Sequence, residues 1–189
     1  MINKIIEAHI HTTQTLLKQE AEIQIICATC WNAINNGNKI FLAGNGGSAA
    51  DAQHIAAELV GRFTNERRAL PAMALTTDTS ILTSVGNDYG FENIFSRQIE
   101  AFAQAGDIFI AISTSGTSKN IINAVRVAQL RKVKTIGFLG YSGGTLKNMV
   151  DLPLIISSDI TARIQEMHIL VGHIVCAYIE EKIANNNDK

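Results

Sequence analysis

Five short apolar runs alternate with longer segments of helical periodicity, and this alternation constrains the fold more than any other feature of the sequence. Each run is rich in Ile, Leu, Val or Phe, which is typical of strands covered on both faces. A chain of 189 residues with 47% hydrophobic content is long enough to bury such strands in one core. The predicted strands cover residues 39–44, 71–75, 107–113, 133–140 and 151–157.

Helical patterns separate these strands and continue after the last of them. Strands that alternate with helices predict an α/β protein with a doubly wound parallel sheet and right-handed crossovers. The predicted helices cover residues 48–62, 92–104, 118–131, 145–149 and 161–184.

A further helical pattern, of one or two helices, precedes the first strand. Because these residues cannot form a crossover, we expect them to pack outside the sheet or against another subunit. The expected organisation is one domain over residues 1–189, with N-terminal helices at 1–36 and the α/β core and C-terminal helix at 37–189.

Charge and apolar run length argue against two classes of partner. The formal net charge is −1, and the one dense basic run, residues 62–68, is interrupted by polar and acidic residues, so no contact with nucleic acid is expected. The longest apolar run, residues 169–179, is shorter than the ~20 residues that span a bilayer, so no membrane partner is expected.

The three cysteines point to a reducing compartment. Their number is odd, and the chain begins without the pattern of a signal peptide, which favours the cytoplasm. Cys27 and Cys30 have the spacing of a redox or zinc pair. They lie inside a helical pattern without a second such pair, which favours a packing role.

Polar segments occupy three positions where an α/β sheet would bind a ligand, beyond the carboxyl ends of its strands. The segment GNGGSAAD (44–51) has neither the spacing of a dinucleotide fingerprint nor the lysine of a P-loop. A tight turn capped by Ser48 explains part of it, but not Asn45. The loop SVGNDYGFEN (84–93) offers Asn87 and Asp88, which suit sugar hydroxyls or an Asx turn.

The remaining segment, STSGTSKN (113–120), places several hydroxyls around one glycine at a helix start. An ordinary capped turn needs only one hydroxyl. The excess of hydroxyls, without a dominating Lys or Arg, favours a phosphate monoester held by polar donors and the helix dipole.

Two pairs of polar residues share helix faces. His54 and Glu58 are four residues apart, and Gln165 and His173 are eight apart. A histidine in an apolar helix is often a core residue, and an i, i+4 His–Glu pair is often a surface pair. The spacing therefore allows a metal site without requiring one.

Four segments together resemble the sugar isomerase (SIS) domain family, and within it the phosphoheptose isomerases. They are GNGGSAADAQHIAAEL, LTTDTSILTSVGNDYGFENIFSRQ, ISTSGTS and ARIQEMHILVGHI, in this order along the chain. The resemblance implies a flavodoxin-like fold and a homotetramer with active sites at subunit interfaces. It also implies conversion of D-sedoheptulose 7-phosphate to D-glycero-D-manno-heptose 7-phosphate, for lipopolysaccharide core or capsule.

The resemblance also assigns roles to particular residues. Glu58 would be the base and His173 the acid of an isomerisation through a cis-enediol. Zinc, one ion per subunit, would be bound by His54, Glu58, Gln165 and His173. The substrate would contact Asn45, Gly46, Gly47, Glu58, Asn87, Asp88, Ser113, Thr114, Ser115, Ser118 and Gln165.

Two other functions fit parts of this pattern. One is a non-catalytic tetrameric adaptor, similar to the SIS protein that associates with the replication initiator. An adaptor has no need for Glu58 and His173 as acid–base residues, so their presence favours an enzyme. The other is an isomerase or sensor of a different phosphosugar, which the hydroxyl-rich segment fits equally well.

Overall fold

Five parallel strands form one sheet in the computed structural model, which describes residues 1–187 and the side chains as far as residue 185. All five predicted strands are present, with ends shifted by a few residues at most. They are β1 (Ile40–Ala43), β2 (Ala72–Ala74), β3 (Ile108–Ser113), β4 (Lys134–Gly140) and β5 (Leu152–Ile156).

Seven α-helices surround the sheet in the described part of the chain. They are α1 (Ile2–Leu16), α2 (Glu20–Asn35), α3 (Gly47–Val60), α4 (Thr79–Tyr89), α5 (Ser96–Phe102), α6 (Lys119–Leu130) and α7 (Thr161–Asn187). Short 3₁₀ turns lie at Leu17–Gln19, Phe91–Asn93 and Leu146–Asn148.

Two predicted helices are shorter than the sequence pattern indicated. The segment 145–149 forms only a 3₁₀ turn, because β5 begins soon after it. The segment 92–104 divides into a 3₁₀ turn and α5, since Ile94 N–H bonds to the Phe91 carbonyl three residues back.

Helix α4 was not predicted, and its presence corrects the interpretation of residues 84–93 as a loop. Asp78 caps the helix by accepting a hydrogen bond from Ile81 N–H at 2.9 Å. Leu82 and Val85 pack against the core, and the helix ends at Gly90, where φ is +88°. Gly, Asn and Asp near its end have low helix propensity, which concealed the helix in the sequence.

The sheet separates two apolar layers. Ile40 and Leu42 of β1 face α2, α3 and α7, whereas Phe41 and Ala43 face α5 and α6. Helix α2 therefore packs directly on the sheet, which corrects the expectation that all the N-terminal helices lie outside it. Of the two N-terminal helices, α1 lies away from the sheet centre, against α7.

Cys27 and Cys30 are buried in the layer of α2, α3 and α7 and form no disulfide. Burial raises the pKa of the Cys27 thiol to about 11, and it raises the pKa of Cys30 as well. Such thiols are poor nucleophiles, so the prediction of a packing role is confirmed.

The strand order β2-β1-β3-β4-β5 is flavodoxin-like, as the resemblance implied. The order reverses between β1 and β3, so the loops after these two strands leave the sheet in opposite directions. This is the crevice in which open α/β sheets bind ligands. None of the helices in the described part of the chain has the length and apolar character needed to cross a bilayer.

Candidate functional site

The loops after β1 and β3 are joined by a pair of amides across the crevice. Asn45 donates to the Asn120 side-chain carbonyl at 3.0 Å, and Asn120 donates back to Asn45 at 2.8 Å. The Asn120 carbonyl also accepts the N–H of Ile121, which fixes its orientation. The position of Asn45, which a simple turn did not explain, is therefore set by the first turn of α6.

The loop 113–118 after β3, hereafter the β3 loop, keeps its hydroxyls close together. Ser113 Oγ donates to Ser118 Oγ at 3.3 Å, and Ser115 Oγ accepts the N–H of Thr117 at 3.2 Å. Ser118 is the N-cap residue of α6, but its side chain makes no capping hydrogen bond. Thr114 is half-buried, whereas Ser115 is exposed at the loop surface.

The β3 loop therefore presents more hydroxyls than its own turn uses. Gly116 holds its shape with φ of +66°, and a Cβ there would strike the backbone of Gly143. Hydroxyls beside the uncapped N-terminus of α6 suit an anion such as a phosphate monoester.

Helices α3 and α7 lie side by side and run in the same direction. Near the start of both helices Gly47 contacts Gln165, and about two turns further along Ile55 contacts Gly172. A Cβ at Gly172 would overlap Ile55, so glycine permits the close approach of the two helices. This packing places His173 opposite His54.

Three side chains converge between these helices: His54, Glu58 and His173, hereafter the triad. The two histidine Nε2 atoms lie 2.9 Å apart, and Glu58 Oε1 lies 3.3 Å from His54 Nε2. One nitrogen or oxygen from each residue lies within 4.8 Å of the others. The triad is partly open to solvent, since the His54 side chain is 48% exposed.

The triad suits a metal ion. Two ligands about 2.0 Å from a tetrahedral zinc would stand roughly 3.3 Å apart, close to the spacing seen here. Two neutral imidazoles and a carboxylate form the ligand set of catalytic zinc sites that keep a position free for substrate.

Gln165 is placed differently from the other predicted ligands. Its amide packs against Gly47, at the start of α3. Eight residues separate it from His173, about 12 Å along the helix axis. Gln165 thus lies between the β1 loop, which holds Asn45 and Gly46, and the triad.

Asn87 and Asp88 lie apart from these contacts, at the exposed end of α4. Asn87 donates to the Asp88 carboxylate at 2.7 Å. No described hydrogen bond joins them to the β1 loop, the β3 loop or the triad, within residues 1–185.

Sequence reasoning missed Asp51, which lies one helical turn before His54. Its Oδ2 atom is buried without a hydrogen-bond partner among the described residues. Burial raises the pKa of Asp51 to about 6, and the nearby His54 opposes this rise. In the sequence, Asp51 could have been recognised from its spacing of three residues from His54, which puts both side chains on one face of the helix.

The sequence also provided no expectation for Arg67 and Glu180. Their side chains form a buried ion pair with 3.1 Å between Arg67 Nε and Glu180 Oε1, and Arg67 also donates a hydrogen bond to the backbone carbonyl of Glu58, a member of the triad. Glu180 follows His173 by seven residues, so the two share a face of α7, which the sequence could have indicated.

Comparison with known proteins agrees with this architecture. The SIS domain family matches residues 6–140. The phosphoheptose isomerase of Geotalea daltonii is 52% identical, over 94% of this chain and 95% of that protein.

Two solved structures share the fold over nearly the whole chain. The phosphoheptose isomerase of Neisseria gonorrhoeae superimposes with a TM-score of 0.90 at 41% identity, covering 95% of this chain and 97% of that one. That of Francisella tularensis gives a TM-score of 0.92 at 38% identity, covering 95% and 96%.

Proposed function

Because the chain belongs to the SIS domain family, and within it to the phosphoheptose isomerases, we propose that it converts D-sedoheptulose 7-phosphate to D-glycero-D-manno-heptose 7-phosphate. The relatives named above are isomerases, which favours an enzyme over an adaptor. The observation that supports this choice of reaction is the triad, whose side chains lie close enough together to hold a metal ion and could act as acid and base.

The spacing of the site suits a long phosphosugar. The β3 loop and Asn45 would bind the phosphate end at the crevice. From Gly47 to His54, α3 rises by about 10 Å, comparable to an extended sugar chain that carries a terminal phosphate. Gln165 lies between the two ends and would contact the middle of the substrate. A Cβ at Gly46 would meet no atom within 4 Å, so this position leaves room for the substrate, whereas the space beside Gly47 is filled by Gln165 and Gly47 would contact the substrate through its backbone.

Isomerisation of a ketose requires proton transfers on both carbon and oxygen. The Glu58 carboxylate would remove a proton from C1, and His173 Nε2 would protonate the carbonyl oxygen on C2, giving the cis-enediol. Delivery of a proton to C2, and removal of one from the C1 hydroxyl, would then yield the aldose. A base and an acid from different helices allow both oxygens and both carbons to be reached.

Zinc, held by His54, Glu58 and His173, is the cofactor that we propose. When bound, it would polarise the substrate oxygens and so stabilise the negative charge that develops on them. Three protein ligands leave room for substrate, and Gln165 would have to turn away from Gly47 to join them at the ion.

Exposed apolar side chains support the proposal of a homotetramer with active sites at its interfaces. Ile2, Ile6 and Ile10 of α1 are about half exposed or more, and Leu17 after it is 76% exposed. Such a surface is typical of a subunit interface. The asparagine and aspartate of α4, Asn87 and Asp88, would contact the sugar in such an assembly.

We also propose a cytoplasmic location, which the three unpaired cysteines support because disulfides are rare in reducing compartments. The product would serve the synthesis of ADP- or GDP-heptose for lipopolysaccharide core or capsule.

The test is an NMR time course of zinc-loaded protein with D-sedoheptulose 7-phosphate. Appearance of the heptose 7-phosphate supports the proposal. Folded, zinc-loaded protein that yields no aldose would contradict it and would favour a different phosphosugar.

A further inference from the structure

The Glu180 carboxylate organises the chain that follows α3. It accepts the backbone N–H groups of Phe63 at 2.8 Å and of Thr64 and Asn65 at 3.0 Å each. It also accepts the Thr64 hydroxyl at 2.8 Å and Arg67 Nε at 3.1 Å. One side chain of α7 therefore fixes the loop 63–67.

Arg67 extends this contact to the end of α3. Its guanidinium donates to the carbonyl of Glu58 at 2.6 Å, of Leu59 at 2.9 Å and of Gly61 at 3.1 Å. The last carbonyls of a helix have no partner within it, so Arg67 holds the turn of α3 that carries Glu58.

Phe63 connects the same loop to the other helix of the triad. Its ring centroid lies 5.4 Å from that of His173, with the planes inclined by 35°. The loop thus contacts both Glu58, through its backbone, and His173, through its ring.

The ion pair between Arg67 and Glu180 is deeply buried: the Glu180 side chain is 2% exposed and the Arg67 side chain 3% exposed. Burying two charges costs desolvation energy, and an apolar pair of similar volume is often as stable. Stability alone therefore does not explain the presence of this pair beside the triad.

We infer that Glu180 is a positioning residue: through residues 63–67 it orients His173 and the α3 turn of Glu58, and so determines zinc affinity and turnover. Glu180 would act on the site through these residues, whose backbone and side chains it contacts. This inference deepens the proposed function and rests on it.

The test compares full-length Glu180→Gln with Glu181→Gln, a matched control at the exposed neighbouring position of α7. Glutamine keeps the size of Glu180 but replaces one acceptor with a donor. We measure the zinc dissociation constant by competition with a chromophoric chelator, together with kcat and KM for D-sedoheptulose 7-phosphate. Circular dichroism establishes that each variant is folded.

We expect Glu180→Gln to raise the zinc dissociation constant and to lower kcat, each by about tenfold or more. KM should change by less than about threefold, since the substitution does not touch the β3 loop, which we propose binds the phosphate. The control should match the wild type. A folded Glu180→Gln with wild-type zinc affinity and kcat would overturn the inference.

If Glu180→Gln fails to fold, Phe63→Leu decides the question, because it leaves the ion pair intact and removes the ring from His173. Weakened zinc binding supports the inference, and wild-type zinc binding with wild-type kcat overturns it.

If wild-type protein binds zinc but does not convert the sugar, the proposed function fails, while the zinc measurements still test Glu180. A wild type that binds no zinc overturns both.

Discussion

Asn45 and Asn120 exchange two side-chain hydrogen bonds and thereby tie the loop after β1 to the first turn of α6. Asn120 is buried, and its carbonyl is held by the N–H of Ile121. Asn45 is thus oriented before any ligand arrives, which reduces the entropic cost of binding.

Replacing Asn120 with Ala should weaken substrate binding, because the amide of Asn45 loses its fixed partner. We expect KM for D-sedoheptulose 7-phosphate to rise by about tenfold with a smaller change in kcat, as for the loss of uniform binding. Steady-state kinetics measures both. An unchanged KM would show that the amide pair has only a structural role.

Glu58→Gln should abolish turnover while the protein stays folded, because glutamine cannot accept the substrate proton. The fall in kcat should be about a hundredfold or more. Glu100→Gln, on the exposed surface of α5, is the control. Near-normal activity of Glu58→Gln would refute the role of Glu58 as base.

Ser115→Ala should raise KM, since Ser115 is an exposed hydroxyl of the β3 loop and would donate to the phosphate. The expected rise is about tenfold or more, which corresponds to about 1.5 kcal/mol or more for a hydrogen bond to a charged group. Ser158→Ala, beyond β5, should leave KM unchanged. Equal KM values for Ser115→Ala and the wild type would remove the assignment of this loop to phosphate.

Glu180 should make the stability of the protein depend on pH in the acid range. Burial raises the pKa of its carboxyl, but hydrogen bonds from the backbone of Thr64, Phe63 and Asn65 outweigh this effect and lower the pKa to about 2. A carboxyl with a lowered folded pKa stabilises the protein above its unfolded pKa. This stabilisation is lost as the pH falls through the folded value.

Glu180→Gln should therefore be less stable than the wild type by about 3 kcal/mol near pH 6. The difference should narrow as the pH falls from about 5 through about 2, because both side chains are neutral only below the folded pKa of Glu180. Urea unfolding at several pH values measures it. A difference independent of pH would show that the charge of Glu180 does not stabilise the fold.

The periodicity of the sequence determined the sheet, because buried parallel strands require apolar runs whatever the details of packing. It did not reveal α4, since Gly86, Asn87 and Asp88 disfavour a helix that Asp78 and two apolar contacts nevertheless stabilise. Nor did the periodicity place α2 on the sheet. A helix that connects two parallel strands must pack on the sheet between them, but α2 precedes the first strand and connects no such pair.

For the candidate site, the spacing of His54 and Glu58 on one helix could be read from the sequence, since residues four apart share a face. Their approach to His173, 119 residues later, depends on how closely α3 and α7 pack at Ile55 and Gly172. The same is true of Glu180, whose donors come from a different segment of the chain. Local patterns follow from backbone geometry, whereas contacts between distant segments are decided by the packing of whole helices, which only the tertiary structure contains.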